Sequence, residues 1–396
     1  MDLARAANRL TARWARSLIV DGSVVFSGAG VWPIIAILAS AAEGPAREEL
    51  SAAAGVDSAD GLKSALQLIN SIHGGDTHLA MGLWTNAHLP LAEWWAANVP
   101  AQLRGSLTGR AAVDQAELDS WASEHTGGQI QSIGIELTEA ERWQDSSLLV
   151  AASALSIDTR WKEPFEVGSM NVTAGPWANR RLLSLGRSTL NLNDVAIAQD
   201  TAVGPLTLVE VRGAADIDVV LATASEIHSP GEVLIAACNV LSDDLTLTHG
   251  SELAEGYAAP ALRVARVESF ETTPHLKISV PPFTLSTRHE VTEYPDVFGL
   301  RTLMDRRKGH LPKISEFPLA LDYGVQQVTA SFSTKGFRAA AVSAMDILFG
   351  ASGERFSTRR VEVVFDRPFA FLARHRPTGL LVVVGLVADA EDFDWS

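Results

Sequence analysis

Cysteine is almost missing from this chain: Cys238 is the one thiol in 396 residues, so no internal disulfide can staple the fold. Its neighbours Val233, Leu234, Ile235, Ala236 and Ala237 are apolar, which predicts a buried, inert thiol rather than a reactive one. Positive charge is also short. With 32 Lys and Arg against 47 Asp and Glu the net charge is −15, and phosphate-backbone binding needs the opposite, clustered cations that release counterions. No nucleic-acid partner is expected. No uninterrupted apolar run reaches the roughly 18 residues of a membrane span, so no membrane partner is expected either. Near the N-terminus, Leu3, Ala6, Ala7, Leu10, Trp14 and Leu18 recur at helical spacing between Arg5, Arg9, Arg13 and Arg16. That is an amphipathic helix, not the continuous apolar core of a secretion signal, and it predicts a cytoplasmic location.

Catalytic spacings are lacking too. Gly28 and Gly30 have no third glycine to complete a dinucleotide fingerprint, Thr334-Lys335-Gly336 is not a phosphate loop, and no serine sits in a nucleophile elbow. His73, His78 and His125 show none of the i, i+4 pairing that holds a metal. The chain therefore reads as a protein that binds rather than an enzyme, with no cofactor and no metal.

What is present is a large buried core. The 47% hydrophobic and 20% charged fractions are those of a globular chain. Helical patterns dominate the first 75 residues: 31–42 is apolar almost all round, the mark of a central buried helix, and a shorter helix follows from Arg47 after Gly44-Pro45. A strand is expected over 78–84, helices over 93–103 and 114–125, and a strand buried on both faces over 148–159. The second half turns to strands, at 206–211, 216–221, 277–285, 325–333, 361–365, 369–374 and 380–387. No linker or repeat divides the chain, so residues 1–396 are expected to form one α+β domain with interleaved sheets.

One connection is oversized. About 25 residues separate the strand ending near Thr334 from the one beginning near Val361, beyond the roughly 12 to 15 at which a structureless loop calls for a function. It opens on Gly336, continues with small residues (Ala339, Ala340, Ala341, Val342, Ser343, Ala344), then Met345 to Phe349, then a polar stretch from Gly353 to Arg360. Small residues after a glycine pivot could enter a crowded sheet at little steric cost, while alanine content alone would equally suit a surface helix.

Residues Val363-Val364-Phe365-Asp366-Arg367-Pro368-Phe369-Ala370-Phe371-Leu372-Ala373 resemble the C-terminal signature of the serpins, a family of serine protease inhibitors, departing from it at Ala370. Pro377-Thr378-Gly379 and Val384-Gly385-Leu386-Val387 resemble the family's closing hairpin. In family order upstream stand Phe26-Ser27, Arg47-Glu48-Glu49-Leu50, 118–130 with Trp121 and Thr126-Gly127, Arg160-Trp161-Lys162-Glu163-Pro164-Phe165, and Ile314-Ser315-Glu316 with Pro318-Leu319. The resemblance implies three β-sheets, about nine helices and an exposed reactive loop at 336–360. It identifies the chain with bacterial-type members that lack a signal segment, although many relatives are extracellular. It also implies a monomer whose partner is a serine protease and whose native fold is metastable. The protease cleaves the loop, the loop inserts into the large sheet, and the acyl-enzyme is trapped. The alternative is a non-inhibitory binding protein whose loop is cut without trapping.

The resemblance also places the parts. The loop hinge is Gly336, Phe337, Arg338, Ala339, Ala340 and Ala341, with Phe337 where the family carries Thr or Ser and Arg338 where an acidic residue is usual. So large a side chain is expected to resist entry into a packed sheet, at about 1 to 3 kcal/mol by the cost of overpacking. Thr334 and Pro282 replace a usual Glu–Lys pair. In the sheet-opening region Ser27 and Trp161 are kept, whereas Gly30, Ser153 and Gln326 align with a usual serine, asparagine and histidine. Family spacing puts the reactive bond between Gly350 and Ala351, with Arg355, Phe356, Arg359 and Arg360 as alternative bait residues.

Overall fold

The computed structural model of the chain describes residues 2–18, 22–72, 76–139, 148–243, 245–269, 272–337 and 356–394. Several of its helices begin where a side chain accepts from the first turn or a proline removes one of its free N–H groups. Asp2 accepts a hydrogen bond from the Arg5 amide at 3.2 Å to open α1 (Leu3–Ser17). Ser27 Oγ accepts from the Gly30 amide at 2.9 Å to open α2 (Gly28–Ala41), which is buried at every position, as its apolar run predicts. α3 runs Gly44–Ala54. The Gly44-Pro45 pair thus starts this helix three residues before the expected Arg47, because a first-turn proline gives up an N–H that has no partner there anyway. α4 (Ser58–Ile72), α5 (Glu93–Asn98), α6 (Ala111–His125), α7 (Pro230–Ser242) and α8 (Pro295–Phe298) follow. The helix expected over 93–103 is cut at Asn98, since Pro100 cannot continue it, and only a single 3-10 turn, Ala101–Leu103, lies beyond.

Three sheets complete the architecture, which is α+β with eight α-helices among the described residues. The central sheet orders β3 (Arg104–Leu107), β2 (Thr77–Asn86), β4 (Leu149–Ile157), β16 (Tyr323–Phe332) and β15 (Phe283–Glu290), with the short β5 (Thr159–Arg160) and β17 (Gly336–Phe337) at one end. A second sheet orders β1 (Val24–Phe26), β20 (Leu380–Val387), β19 (Phe369–His375), β10 (Ile217–Thr223), β9 (Leu206–Arg212), β8 (Val195–Ala198) and β11 (Leu247–His249). The third orders β12 (Ala258–Ala259), β13 (Leu262–Ser269), β18 (Phe356–Val364), β14 (His275–Val280), β7 (Arg181–Thr189) and β6 (Glu166–Asn171). The single strand expected over 277–285 is two strands in two sheets. Pro281 and Pro282 cannot donate to a ladder, so the chain leaves the third sheet there and enters the central one.

β4 is buried at all nine positions because both its faces are covered. One face meets the main core under α2. The other meets a smaller core beneath α6, with Ala80, Trp84, Leu118, Val150, Ala152 and Val325. Cys238 is fully buried on α7, and burial pushes its thiol up to about 12, so the inert reading of the sequence holds.

Candidate functional site: the sheet opening and the loop anchors

Inside the central sheet, β4 and β16 run parallel from Val150↔Tyr323 to Ser156↔Thr329, while their outer neighbours β2 and β15 are antiparallel to them. Past Ser156 and Thr329 the pair opens. Gly336 and Phe337 lie in the opening, antiparallel to both sides, with Gly336 opposite Arg160 and Phe337 opposite Thr159 and Phe332. Glycine is required at 336, since a Cβ there would sit 2.1 Å from the Thr159 carbonyl oxygen.

The turn leading into this strand is gripped by backbone and by one indole. The Ser333 amide donates to the Gly336 carbonyl at 2.9 Å, the Trp161 amide to that of Lys335 at 2.9 Å, and the Phe165 amide to that of Thr334 at 2.9 Å. Trp161 Nε1 donates to the Ser333 carbonyl at 2.8 Å. These bonds hold the hinge without an ion pair between positions 334 and 282.

Phe337 is not resisted by the sheet. It is 0% exposed, with ring centroids 5.9 Å from Phe371, 6.3 Å from Phe283 and 6.4 Å from Trp161. The expected overpacking cost is therefore overturned: at the open end of the sheet there is an aromatic pocket, and Phe337 fills it.

Deeper in the sheet, Gln326 ties three elements together. Its Oε1 accepts from the Ser27 amide at 2.8 Å, and its Nε2 donates to the Ser27 carbonyl at 2.8 Å and to Ser153 Oγ at 3.1 Å. Ser27 Oγ donates in turn to the Val382 carbonyl at 2.6 Å, joining α2 to the second sheet. Of the sheet-opening residues, Ser27, Ser153 and Gln326 thus meet in one network, and Trp161 stands apart at the hinge turn. Directly across the ladder from Gln326 is His289, whose Nε2 lies 2.9 Å from the Val25 carbonyl. Burial lowers the pKa of His289, and the bond to Val25 only partly opposes that.

At the far anchor, the strand expected to begin near Val361 begins at Phe356. Phe356 to Val363 pair antiparallel with β13, and Arg360 to Val364 also pair parallel with β14. The loop expectation of 336–360 is corrected at both ends, with Gly336 and Phe337 in β17 and Phe356, Arg359 and Arg360 in β18. Arg359 is occupied further: its Nη2 donates to the carbonyls of Gly250 at 2.9 Å and Leu253 at 2.6 Å. Arg360 lies 3.5 Å from Glu362. Arg338, Ala339, Ala340, Ala341, Gly350, Ala351 and Arg355 lie outside the described residues.

Residues 5–173 and 259–390 match the family described as Serpin (serine protease inhibitor). A serpin-Z6A of Oryza sativa subsp. japonica is 24% identical over 386 residues, covering 93% of each chain. Among solved structures, Serpin48 of the insect Tenebrio molitor superposes with a TM-score of 0.72 at 14% identity, covering 98% of both chains. The thermophilic serpin Tengpin in its native state gives 0.73 at 14% identity, covering 98% of this chain and 94% of the other.

Proposed function

This chain belongs to the serpin family, and on that premise we propose that it inhibits a serine protease as a suicide substrate. The observation that carries the reading is the parallel pair β4–β16, open at one end with Gly336 and Phe337 already in the gap. Parallel pairing is slightly weaker per residue than antiparallel. A strand continuing from Phe337 between β4 and β16 would run antiparallel to both, replacing one parallel ladder by two antiparallel ones.

The residues that would follow Phe337 on its face of such a strand, Ala339, Ala341 and Ser343, are small, as alternation along a strand requires of a packed face. We place the bait at Gly350–Ala351. Phe356, Arg359 and Arg360 are less suited, because a protease needs an extended substrate with free main-chain groups, and these residues already sit in the third sheet. In the trap, the protease serine attacks the Gly350 carbonyl, the bond to Ala351 breaks, and residues 351–396 keep their place through β18. The freed segment, 14 residues from Phe337 to Gly350, would extend about 45 Å as a strand. That length would carry the acyl-enzyme far along the sheet before water could release it.

The test is incubation with elastase-like, subtilisin-like and trypsin-like serine proteases, read by denaturing gel and intact mass. The proposal expects an adduct joining one protease to residues 1–350. Cleavage within 338–355 with no adduct would point instead to a binding protein whose loop is cut without trapping.

A further inference from the structure

Away from the sheets and the loop anchors, α1, α3 and α8 meet around a cavity of about 380 Å³, within the range of small-molecule sites. Arg13 of α1 forms one wall, Glu49 and Ala52 of α3 another, and Pro295 to Val297 of α8 a third, with Arg301 just beyond. Gly299 lets the second and third walls close together. Its backbone is left-handed at φ 66°, and a Cβ there would lie 2.3 Å from the Glu49 carbonyl oxygen.

Charged side chains line this cavity, and all but one have a charged or polar partner for the charge they carry. Arg301 grips Asp296 through both carboxylate oxygens, at 2.6 and 2.7 Å from Nη2. Glu49 accepts from the Thr302 amide at 2.9 Å and from its hydroxyl at 2.5 Å. Arg13 is the exception. Its Nη2 donates to the Ala53 carbonyl and so caps the end of α3, but its Nε is buried with no hydrogen-bond partner, and no carboxylate among the described residues pairs with it. Burial lowers its pKa with no anion to oppose the shift. A guanidinium held out of water in this way lacks a counter-charge.

The other walls narrow the choice of occupant. Ala52, Pro295 and Val297 are apolar, which favours an apolar body, while Glu49 and Asp296 repel a second negative charge. We propose that this cavity binds a small organic monocarboxylate with a compact apolar body, its carboxylate on Arg13 and its body against Ala52, Pro295 and Val297. The carboxylate gives the guanidinium the counter-charge it lacks, in a charge-assisted hydrogen bond. Because the occupant touches three helices at once, its binding stabilises their packing by mass action.

The site is independent of the protease trap, and its test uses the full uncut chain and no protease. Three probes are titrated by calorimetry and ligand-observed NMR: benzoate, benzamide, which keeps the body without the charge, and inorganic phosphate, which keeps charge without the body. Benzoate should bind with a Kd of about 1 mM or tighter and raise the melting temperature, and the other two should bind at least about tenfold more weakly. Two variants locate the site. Arg13→Gln keeps a donor for the Ala53 carbonyl but not the charge, and Ala52→Glu adds an anion at an exposed position of the wall, where the fold should be unaffected. Each should weaken benzoate at least about tenfold. No benzoate binding at about 10 mM, benzamide or phosphate binding as tightly as benzoate, or undiminished benzoate binding by either variant overturns the proposal.

Discussion

Gly30 and Gln326 share one volume. A Cβ on Gly30 would lie 2.9 Å from Gln326 Nε2, and 3.3 and 3.4 Å from the hydroxyls of Ser27 and Ser153. The long amide fits because position 30 has no side chain. The glycine and the glutamine, each a departure from the usual family residue, are therefore a matched pair rather than two independent losses.

Gly30→Ala should accordingly displace the Gln326 amide and break its bonds to Ser27 and Ser153, at about 1 to 3 kcal/mol. Urea unfolding of the single variants and of Gly30→Ala with Gln326→Ala measures the coupling. The alanine at 30 should cost clearly less once Gln326 is gone.

Phe337→Ala should empty the aromatic pocket between Trp161, Phe283 and Phe371. Full truncation of a buried Phe costs about 3 to 5 kcal/mol, but a two-residue strand can leave the sheet and relax, so a loss of up to about 3 kcal/mol is expected. Faster proteolytic cutting within 338–355 and altered tryptophan emission would report the released hinge.

Trp161→Phe keeps a ring at the top of the sheet but removes the Nε1 donor to the Ser333 carbonyl. About 1 kcal/mol of stability should be lost, and amides of the turn Ser333–Lys335 should exchange faster, while those of β2 and β4 stay unchanged.

His289 predicts an acid-sensitive sheet. Its folded pKa lies below the ordinary histidine value, so between the two the unfolded chain binds the extra proton and the native state does not. Stability should be flat above about pH 6.5 and fall as pH drops below it toward the depressed folded value. His289→Gln should flatten this part of the profile, as read from melting temperature against pH.

Where the fold was legible in the sequence, burial wrote it there. The apolar run of α2, the doubly covered β4 and the buried β20 each announce themselves by composition, and the oversized gap after Thr334 points to the loop. What was hidden depends on partners far along the chain. β13 carries Arg263, Arg266 and Glu268 among its apolar residues and reads as surface; it is a strand because β18, almost a hundred residues later, pairs with it. The same ladder turns the polar stretch Phe356 to Arg360 into a strand. Phe337 looked too large because sequence gives the size of a side chain but not the size of the hole, and the hole is made by three aromatic residues from distant elements: Trp161, Phe283 and Phe371. Only the residue pairing of Gly30 with Gln326 could have been suspected earlier, from two departures at sites that the family resemblance already placed together.

The central claim is that the sheet between β4 and β16 will take up the chain beyond Phe337 once the loop is cut. The direct measurement is the melting temperature before and after a single cut within 338–355, with amide exchange across Val150–Ser156 and Tyr323–Thr329. The account predicts a higher melting temperature and stronger protection of both strands in the cut protein. An unchanged or lower melting temperature, with protection as before, would contradict it.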